Sequence, residues 1–222
     1  MKPCISRHHH PLVVVRKKAP GEVRVCLDLR ELNRWTDLVH LKAERIEDLL
    51  ANFSDMKYCS SLDLVCSYNQ IPLAEECQDL VSFTFEGQMF SFCVVPFGYK
   101  NGAQALMAML QRVVGTELLS RILVYIDDIV IPGMSLEEHL WLLDQVLTKM
   151  EEANISINLR KCQFLTRNIK FLGFVVTPQG ITKDPTYVEA VSKLQRPTNL
   201  KSLQRLLGLL NWCSKYIYDF AP

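Results

Sequence analysis

The 222-residue sequence predicts an α+β protein. Three observations carry this reading. Short β-branched segments face each other across turn residues, which marks hairpins. Leucine-rich segments repeat at helical spacing. The two kinds of segment do not alternate as regular βαβ units, and no internal repeat, low-complexity tract or long linker interrupts them.

Residues 11–16, PLVVVR, and 22–29, EVRVCLDL, read as two strands. The turn between them, Lys17-Lys18-Ala19-Pro20-Gly21, holds a Pro-Gly pair and gives the hairpin a lysine-rich tip. A short helix is expected over 43–51, with Ile46, Leu49 and Leu50 on one face. Residues 58–65, YCSSLDLV, form the next strand, and 80–85 with 89–95 a second hairpin around Glu86-Gly87-Gln88. A helix rich in Leu and Met is expected over 102–119. Residues 121–131, RILVYIDDIVI, are two short strands meeting at two aspartates. Ser135 and Glu138 have capping-box spacing, and Leu136, Leu140, Leu143, Leu147 and Met150 then recur at helical spacing. Residues 171–176, FLGFVV, read as one strand with a turn after it at Pro178-Gln179-Gly180. A last helix starts after Pro197 and carries Leu200, Leu203, Leu206, Leu207 and Leu210.

About half the residues are apolar (49%), ordinary for a globular protein, and the length suits one large domain or two small ones. No apolar run reaches the roughly 18 residues of a membrane span, and the N-terminus lacks the long apolar stretch and cleavage site of a signal peptide. His8 to His10 read as a solvated loop. Eight cysteines, at 4, 26, 59, 66, 77, 93, 162 and 213, show neither CxxC nor zinc-ligand spacing. They read as buried or half-buried free thiols of a reducing compartment. The net charge of +1 hides a polarity: residues 1–45 carry +5, residues 46–156 carry −11 and residues 157–222 carry +7. Folded together, these give a carboxylate-rich floor between cationic walls, and cationic walls suit a phosphate backbone.

The chemistry centres on Tyr125-Ile126-Asp127-Asp128. Two adjacent carboxylates among apolar residues repel by ~1 kcal/mol at about 4 Å in water and ~4 kcal/mol at an effective dielectric near 20. A divalent cation reverses the sign of that cost. On this segment alone a simple β-turn is the better account, because Asp is a common turn residue. Asp63 changes the balance. It lies inside the apolar strand Leu62-Asp63-Leu64-Val65, where an aspartate needs a cleft or a partner. If that strand lies beside the 122–131 hairpin, three carboxylates converge. Carboxylates are hard oxygen ligands suited to Mg²⁺.

In order along the chain stand PLVVVRKK, RVCLDLRELN, SSLDLVCSYNQIPL, VPFGYKN, LVYIDDIVI, LEEHL, KCQF, FLGFVVTPQGI and LQRLLGLLNW. This colinear series resembles the reverse transcriptases of long-terminal-repeat retrotransposons, most closely the gypsy type, almost from end to end. The resemblance implies a right-hand polymerase fold and RNA-directed DNA polymerase activity. It implies partial fingers at 1–57, palm with the first catalytic motif at 58–79, fingers and palm at 80–106, palm at 107–176, and palm–thumb junction with partial thumb at 177–222. Asp63, Asp127 and Asp128 would be catalytic and would hold two Mg²⁺ (or Mn²⁺) ions, with the Leu64 carbonyl helping. Lys17, Lys18 and Arg24 would hold the triphosphate of the incoming deoxynucleoside triphosphate. Phe97 and Gly98 would line its pocket, and Tyr68 would close against the sugar 2′ position, where a core role is the plainer alternative. Phe171, Leu172 and Gly173 would position the primer end. Lys193, Arg196, Lys201 and Arg205 would face an RNA or DNA template with its primer.

The sequence also departs from that pattern. After Asp63 the family usually has Arg-Ser-Gly-Tyr-His-Gln, and here stands Val65-Cys66-Ser67-Tyr68-Asn69-Gln70. After Gly98 the usual Leu-x-Asn-Ala-Pro-Ala-Thr-Phe becomes Tyr99-Lys100-Asn101-Gly102-Ala103-Gln104-Ala105-Leu106. Protease, ribonuclease H and integrase regions are absent from the chain, so a piece of a Pol polyprotein is expected, working in a cytoplasmic retroelement particle or the nucleus and not secreted, without a membrane partner. The alternative is a truncated or co-opted, catalytically silent remnant that binds nucleic acid or protein.

Overall fold

The computed structural model of the chain describes residues 1–16, 21–40, 56–186, 189 and 196–213. The lysine-rich hairpin tip and the helix expected over 43–51 lie outside the described residues.

The central element is a four-stranded antiparallel sheet in the order β7-β8-β4-β9, built from β4 (Tyr58–Asp63), β7 (Leu123–Tyr125), β8 (Asp128–Gly133) and β9 (Gln163–Thr166). Its alternation is that of a strand buried on both faces. Leu62, Ile129 and Ile131 face α3 (Gly102–Val114) and α5 (Leu136–Glu152), where Leu106, Leu110, Leu142, Val146 and Met150 complete one core. Cys59 and Val130 face the other way, against the sheet of β10 (Ile169–Phe171), β11 (Phe174–Thr177) and β12 (Gly180–Lys183), whose Ile169, Phe171, Phe174 and Val176 fill a second core. A third, smaller core of Leu27, Leu29, Val81, Phe83 and Phe92 joins β3 (Val23–Leu27) to β5 (Ser82–Phe85) and β6 (Gln88–Ser91). β1 (Lys2–Pro3) adds to the edge of β6, and β2 (Leu12–Arg16) pairs with β3 in a separate two-stranded ribbon among the described residues. Other helices among the described residues are α1 (Arg30–Trp35), α2 (Glu75–Gln78), α4 (Thr116–Leu119) and α6 (Leu200–Cys213).

Three expectations are corrected, and the packed face of one helix is fixed. The helix expected over 102–119 breaks at Gly115, whose φ of +81° caps α3 with a bond from its N–H to the Gln111 carbonyl before α4 begins. Left-handed backbone there is a glycine's place. The strand expected over 171–176 is two strands, turned back at Leu172 and Gly173, both at positive φ. Cys66 is exposed rather than buried, in a left-handed turn at φ +45°. On α5 the buried stripe is His139, Leu142, Val146 and Met150, while Leu136 and Leu140 remain 44% and 45% exposed. Close approach of β8 decides this: a Cβ on Gly133 would stand 2.5 Å from the His139 Cβ, so strand and helix meet at the only side chain size that fits. The capping box itself forms in a shifted version. Ser135 Oγ accepts from Glu138 N, and Glu138 Oε2 accepts from Met134 N, one residue before the cap.

His139 is fully buried with Nε2 2.8 Å from Ser60 Oγ, which also accepts from Leu165 N. The other ring nitrogen, Nδ1, makes no well-formed hydrogen bond among the described residues. Burial holds the His139 pKa below its ordinary value, and the Pro132 carbonyl offsets this in part. In the unfolded chain the imidazole takes a proton below about pH 6.5, whereas in the folded chain it resists. Unfolding therefore takes up a proton, and the stability this residue contributes is present above that pH and lost as pH falls. Urea denaturation at pH 7.5 and 5.0 should show a smaller pH dependence for His139→Gln than for the wild-type chain. An equal dependence in both would rule His139 out as a source of acid lability.

Candidate active site

β4 ends at Asp63 and β8 begins at Asp128, and the two residues are register partners across the antiparallel ladder. Asp127 lies in the two-residue turn joining β7 to β8, where Tyr125 pairs with Asp128. The turn holds Ile126 at φ +58°. A β-branched residue pays for that conformation, and the surroundings fix it: Ile126 N donates to Met107 Sδ at 3.0 Å, and its side chain packs against the first core. Chain segments 65 residues apart thus deliver three carboxylates to one end of the sheet.

The electrostatics follow the geometry. Asp128 reaches solvent, yet enough protein surrounds its carboxyl that desolvation is the leading cause of a raised pKa, with the charges of Asp127 and then Asp63 adding to it. Lys161 Nζ lies 3.3 Å from one carboxylate oxygen of Asp63 and 3.4 Å from the other. This ammonium is the one cation the structure places on the trio among the described residues. Asp63 is anchored through its backbone: its N–H donates to Cys162 Sγ and its carbonyl accepts from Asn158 N at 2.7 Å. The following Leu64–Ile157 bridge is closed by bonds of the neighbouring residues, Asn158 N to Asp63 O and Val65 N to Ser156 O, a register that leaves the Leu64 carbonyl outside them.

The donor set is chemically that of a hard divalent cation, carboxylate oxygens with a carbonyl beside them. As placed, no three His, Cys, Asp or Glu side chains among the described residues close into a group that could hold a metal ion. The backbone register and the mutual repulsion at Asp128 fit such an ion, and the Lys161 ammonium beside Asp63 already stands where positive charge is wanted.

A wall rises beside the carboxylates. Tyr68 sits on a 3-10 turn, Ser67–Gln70, that follows Cys66. Its ring meets Phe97 edge-on at 5.3 Å, and the Arg24 guanidinium lies over the Phe97 ring, 4.6 Å from its centroid. Burial raises the Tyr68 pKa, the Asp127 charge raises it further and Arg24 lowers it, so the phenol senses both the acidic turn and the basic hairpin. Gly98 (φ +105°) cannot be replaced, because a Cβ would stand 2.8 Å from the Leu27 carbonyl oxygen. Asn33 clamps this turn: its amide donates to Gly98 O and its Oδ1 accepts from Lys100 N, both at 2.8 Å.

Of the other expected site residues, Lys17, Lys18 and Lys193 lie outside the described residues. Phe171 is 3% exposed and belongs to the second core, so only the Leu172-Gly173 tip of that hairpin reaches outward. Arg196 is exposed, and Lys201 and Arg205 are exposed one turn apart on α6. Sequence reading missed Lys161, Asn33, Met107 and Gly102. The first two stand inside motifs noted for other residues, KCQF and RELN. Nothing in the local sequence singles out Met107, and Gly102 was noted only as standing where the related pattern has Ala. A cavity of about 490 Å³ between Lys57, Tyr58, Arg167, Asn168, Pro178 and Gln179 lies at the opposite end of β4 and has no carboxylate in its lining.

Residues 15–176 match the family described as reverse transcriptase (RNA-dependent DNA polymerase). Over 225 residues the chain is 31% identical to the retrovirus-related Pol polyprotein from transposon opus of Drosophila melanogaster, covering 100% of this chain and 22% of that protein. It is 30% identical over 226 residues to the counterpart from transposon gypsy of the same species, again covering 100% of this chain and 22% of that one. The chain thus spans about a fifth of the length of these curated relatives. Among solved structures, the foamy viral protease-reverse transcriptase dRH in complex with ds DNA superposes with a TM-score of 0.87 at 28% identity, over 98% of this chain and 38% of that one. The foamy viral protease-reverse transcriptase in complex with RNA/DNA hybrid gives 0.78 at 28% identity, over 95% and 28%.

Proposed function

The chain belongs to the reverse transcriptase (RNA-dependent DNA polymerase) family, and on that premise we propose that Asp63, Asp127 and Asp128 form the nucleotidyl-transfer centre of an RNA-directed DNA polymerase. Its α+β architecture is that of the foamy viral reverse transcriptase it superposes on. The observation that carries the proposal is the Asp63–Asp128 register pair with Asp127 in the adjoining turn.

The three carboxylates and the Leu64 carbonyl would hold two Mg²⁺ or Mn²⁺ ions. Bound there, such ions supply Lewis-acid stabilisation of the attacking primer hydroxyl and the leaving pyrophosphate. The chain's own residues bind and orient. Arg24, with Lys17 and Lys18, takes the triphosphate of the deoxynucleotide, Arg as a planar fork and Lys as a point charge. Phe97 and Gly98 line the pocket, and Tyr68 faces the sugar 2′ position. Lys161 offsets the charge of Asp63. The Leu172-Gly173 tip, backed by Phe171 in the core, supports the primer end. Lys193, Arg196, Lys201 and Arg205 meet the template–primer backbone, which the foamy viral complexes with ds DNA and RNA/DNA hybrid support as a partner class. In this reading 1–57 contributes partial fingers, 58–79 and 107–176 palm, 80–106 fingers and palm, and 177–222 the palm–thumb junction with part of the thumb. Ribonuclease H and integrase regions of a Pol polyprotein are the proposed companions in an intracellular particle. Among the described residues no helix is long and apolar enough to cross a membrane.

The test is extension of a primed RNA or DNA template with all four deoxynucleotides. Extension should require Mg²⁺ or Mn²⁺ and stop when a chelator is added. A chain that binds the template–primer yet never extends it with either ion would instead support the silent, nucleic-acid-binding remnant.

A further inference from the structure

We propose that Gly102 sets how far the Tyr68 ring stands into the nucleotide pocket, and thereby tunes discrimination between deoxy- and ribonucleoside triphosphates. This rests on the reading of Tyr68 given above.

Gly102 is the buried first residue of α3. Its φ lies outside the left-handed region, so the backbone does not demand glycine there. Space does. A Cβ at this position would stand 3.3 Å from both Cδ1 and Cε1 of Tyr68 and 4.0 Å from its Cγ, and these are the three nearest atoms. At such distances the repulsive wall is steep, so something shifts by a few tenths of an ångström.

The ring is the part that yields. The Gly102 backbone is held by its N–H to Tyr99 O at 3.1 Å, and Asn101 before it is tied by its side chain to the backbone of Asp37 and Val39. The Tyr68 backbone is held by the bonds of its 3-10 turn, Asn69 N to Cys66 O and Ile71 N to Tyr68 O. The ring meets Phe97 edge-on at 5.3 Å and lies against the margin of the first core. A methyl at 102 therefore drives the ring away from the helix. Phe97 and Gly98, next to each other in sequence, carry the proposed pocket on that side. A ring that stands further out leaves less room for a 2′ hydroxyl. Gly102 is thus a positioning residue that acts through Tyr68 and touches no substrate.

The experiment compares kcat/KM for dCTP and CTP on one primed template, for the wild-type chain, Gly102→Ala, Tyr68→Ala and the double variant, with melting temperatures of all four. Gly102→Ala should raise the dCTP/CTP preference at least about threefold, mainly by raising KM for CTP. Tyr68→Ala should lower the preference. The double variant should match Tyr68→Ala in preference, because without the ring the methyl has nothing to push, and its melting temperature should show the coupling of two residues in contact. If Tyr68→Ala leaves the preference unchanged, the reading of Tyr68 itself fails. If Tyr68→Ala relaxes the preference while Gly102→Ala leaves it unchanged, the Gly102 proposal alone is overturned. It is equally overturned if Gly102→Ala acts on preference in the absence of the ring. A Gly102→Ala chain too unstable to assay overturns it too, since the ring would then not be the part that gives way.

Discussion

Replacing Asp127 by Asn should cut primer extension by ~10³-fold or more, about 4 kcal/mol of transition-state stabilisation. The substitution is nearly isosteric, so the β7–β8 turn keeps its shape and only charge leaves. Affinity for a template–primer duplex should hold or tighten slightly, because a negative charge leaves a surface that meets phosphate. Stability should not fall. The Asp127 charge is the second cause of the raised Asp128 pKa, after desolvation, so its removal relieves repulsion among the three carboxylates. Loss of activity with unchanged or higher melting temperature is the signature of a group kept for chemistry. Extension within tenfold of the wild-type rate, measured in the same preparation, would remove Asp127 from the catalytic centre.

The largest effect on stability is expected at Leu106. It is completely buried in α3 within the first core, together with Leu62, Ile129 and Ile131 of the sheet and Leu142 of α5. Leu106→Ala removes apolar transfer energy and leaves a cavity that strand and helix backbones cannot close, a cost of roughly 2–5 kcal/mol. Leu140→Ala, on the half-exposed side of α5, should cost less than about 1 kcal/mol. Urea midpoints for the two variants check this, and equal losses at both positions would mean that the helix layer is not where the core lies.

These two positions mark how far the sequence could be read. Strand and turn chemistry was legible wherever a residue carries its own local instruction. Glu86-Gly87 and the stretch from Pro178 to Gly180 announced turns, and Ser135 with Glu138 announced the start of α5. Asp63 was legible because an aspartate inside an apolar strand demands a reason. What escaped reading depends on approach between segments distant in sequence. Leu136 and Leu140 have the helical spacing of a buried stripe, yet the face that packs is chosen by Gly133 of β8 meeting His139. Gly115 and the Leu172-Gly173 pair break elements whose apolar runs look continuous, because one left-handed residue outweighs propensity on either side. Lys161 gave no signal by itself, since a lysine in a loop is ordinarily solvated. Its meaning comes only from Asp63, 98 residues earlier.

The order of the central sheet bears on how the site comes into being. β4 lies inside it, between β8 and β9, although β4 leaves the ribosome some 65 residues before the first of those partners and about 100 before the second. Until β8 arrives, β4 has neither neighbour and is an open strand edge, the kind of surface that pairs promiscuously. Pairings so far apart in sequence form slowly, because loop-closure entropy is spent before any contact returns it. Tyr58 meets Gly133 at one end of the β4–β8 ladder and Asp63 meets Asp128 at the other, so the carboxylates are brought together only once β4 and β8 have paired. A chain in which β8 has not yet paired with β4 therefore has no trio to load with metal, and metal uptake at the proposed centre would report that the central sheet has paired.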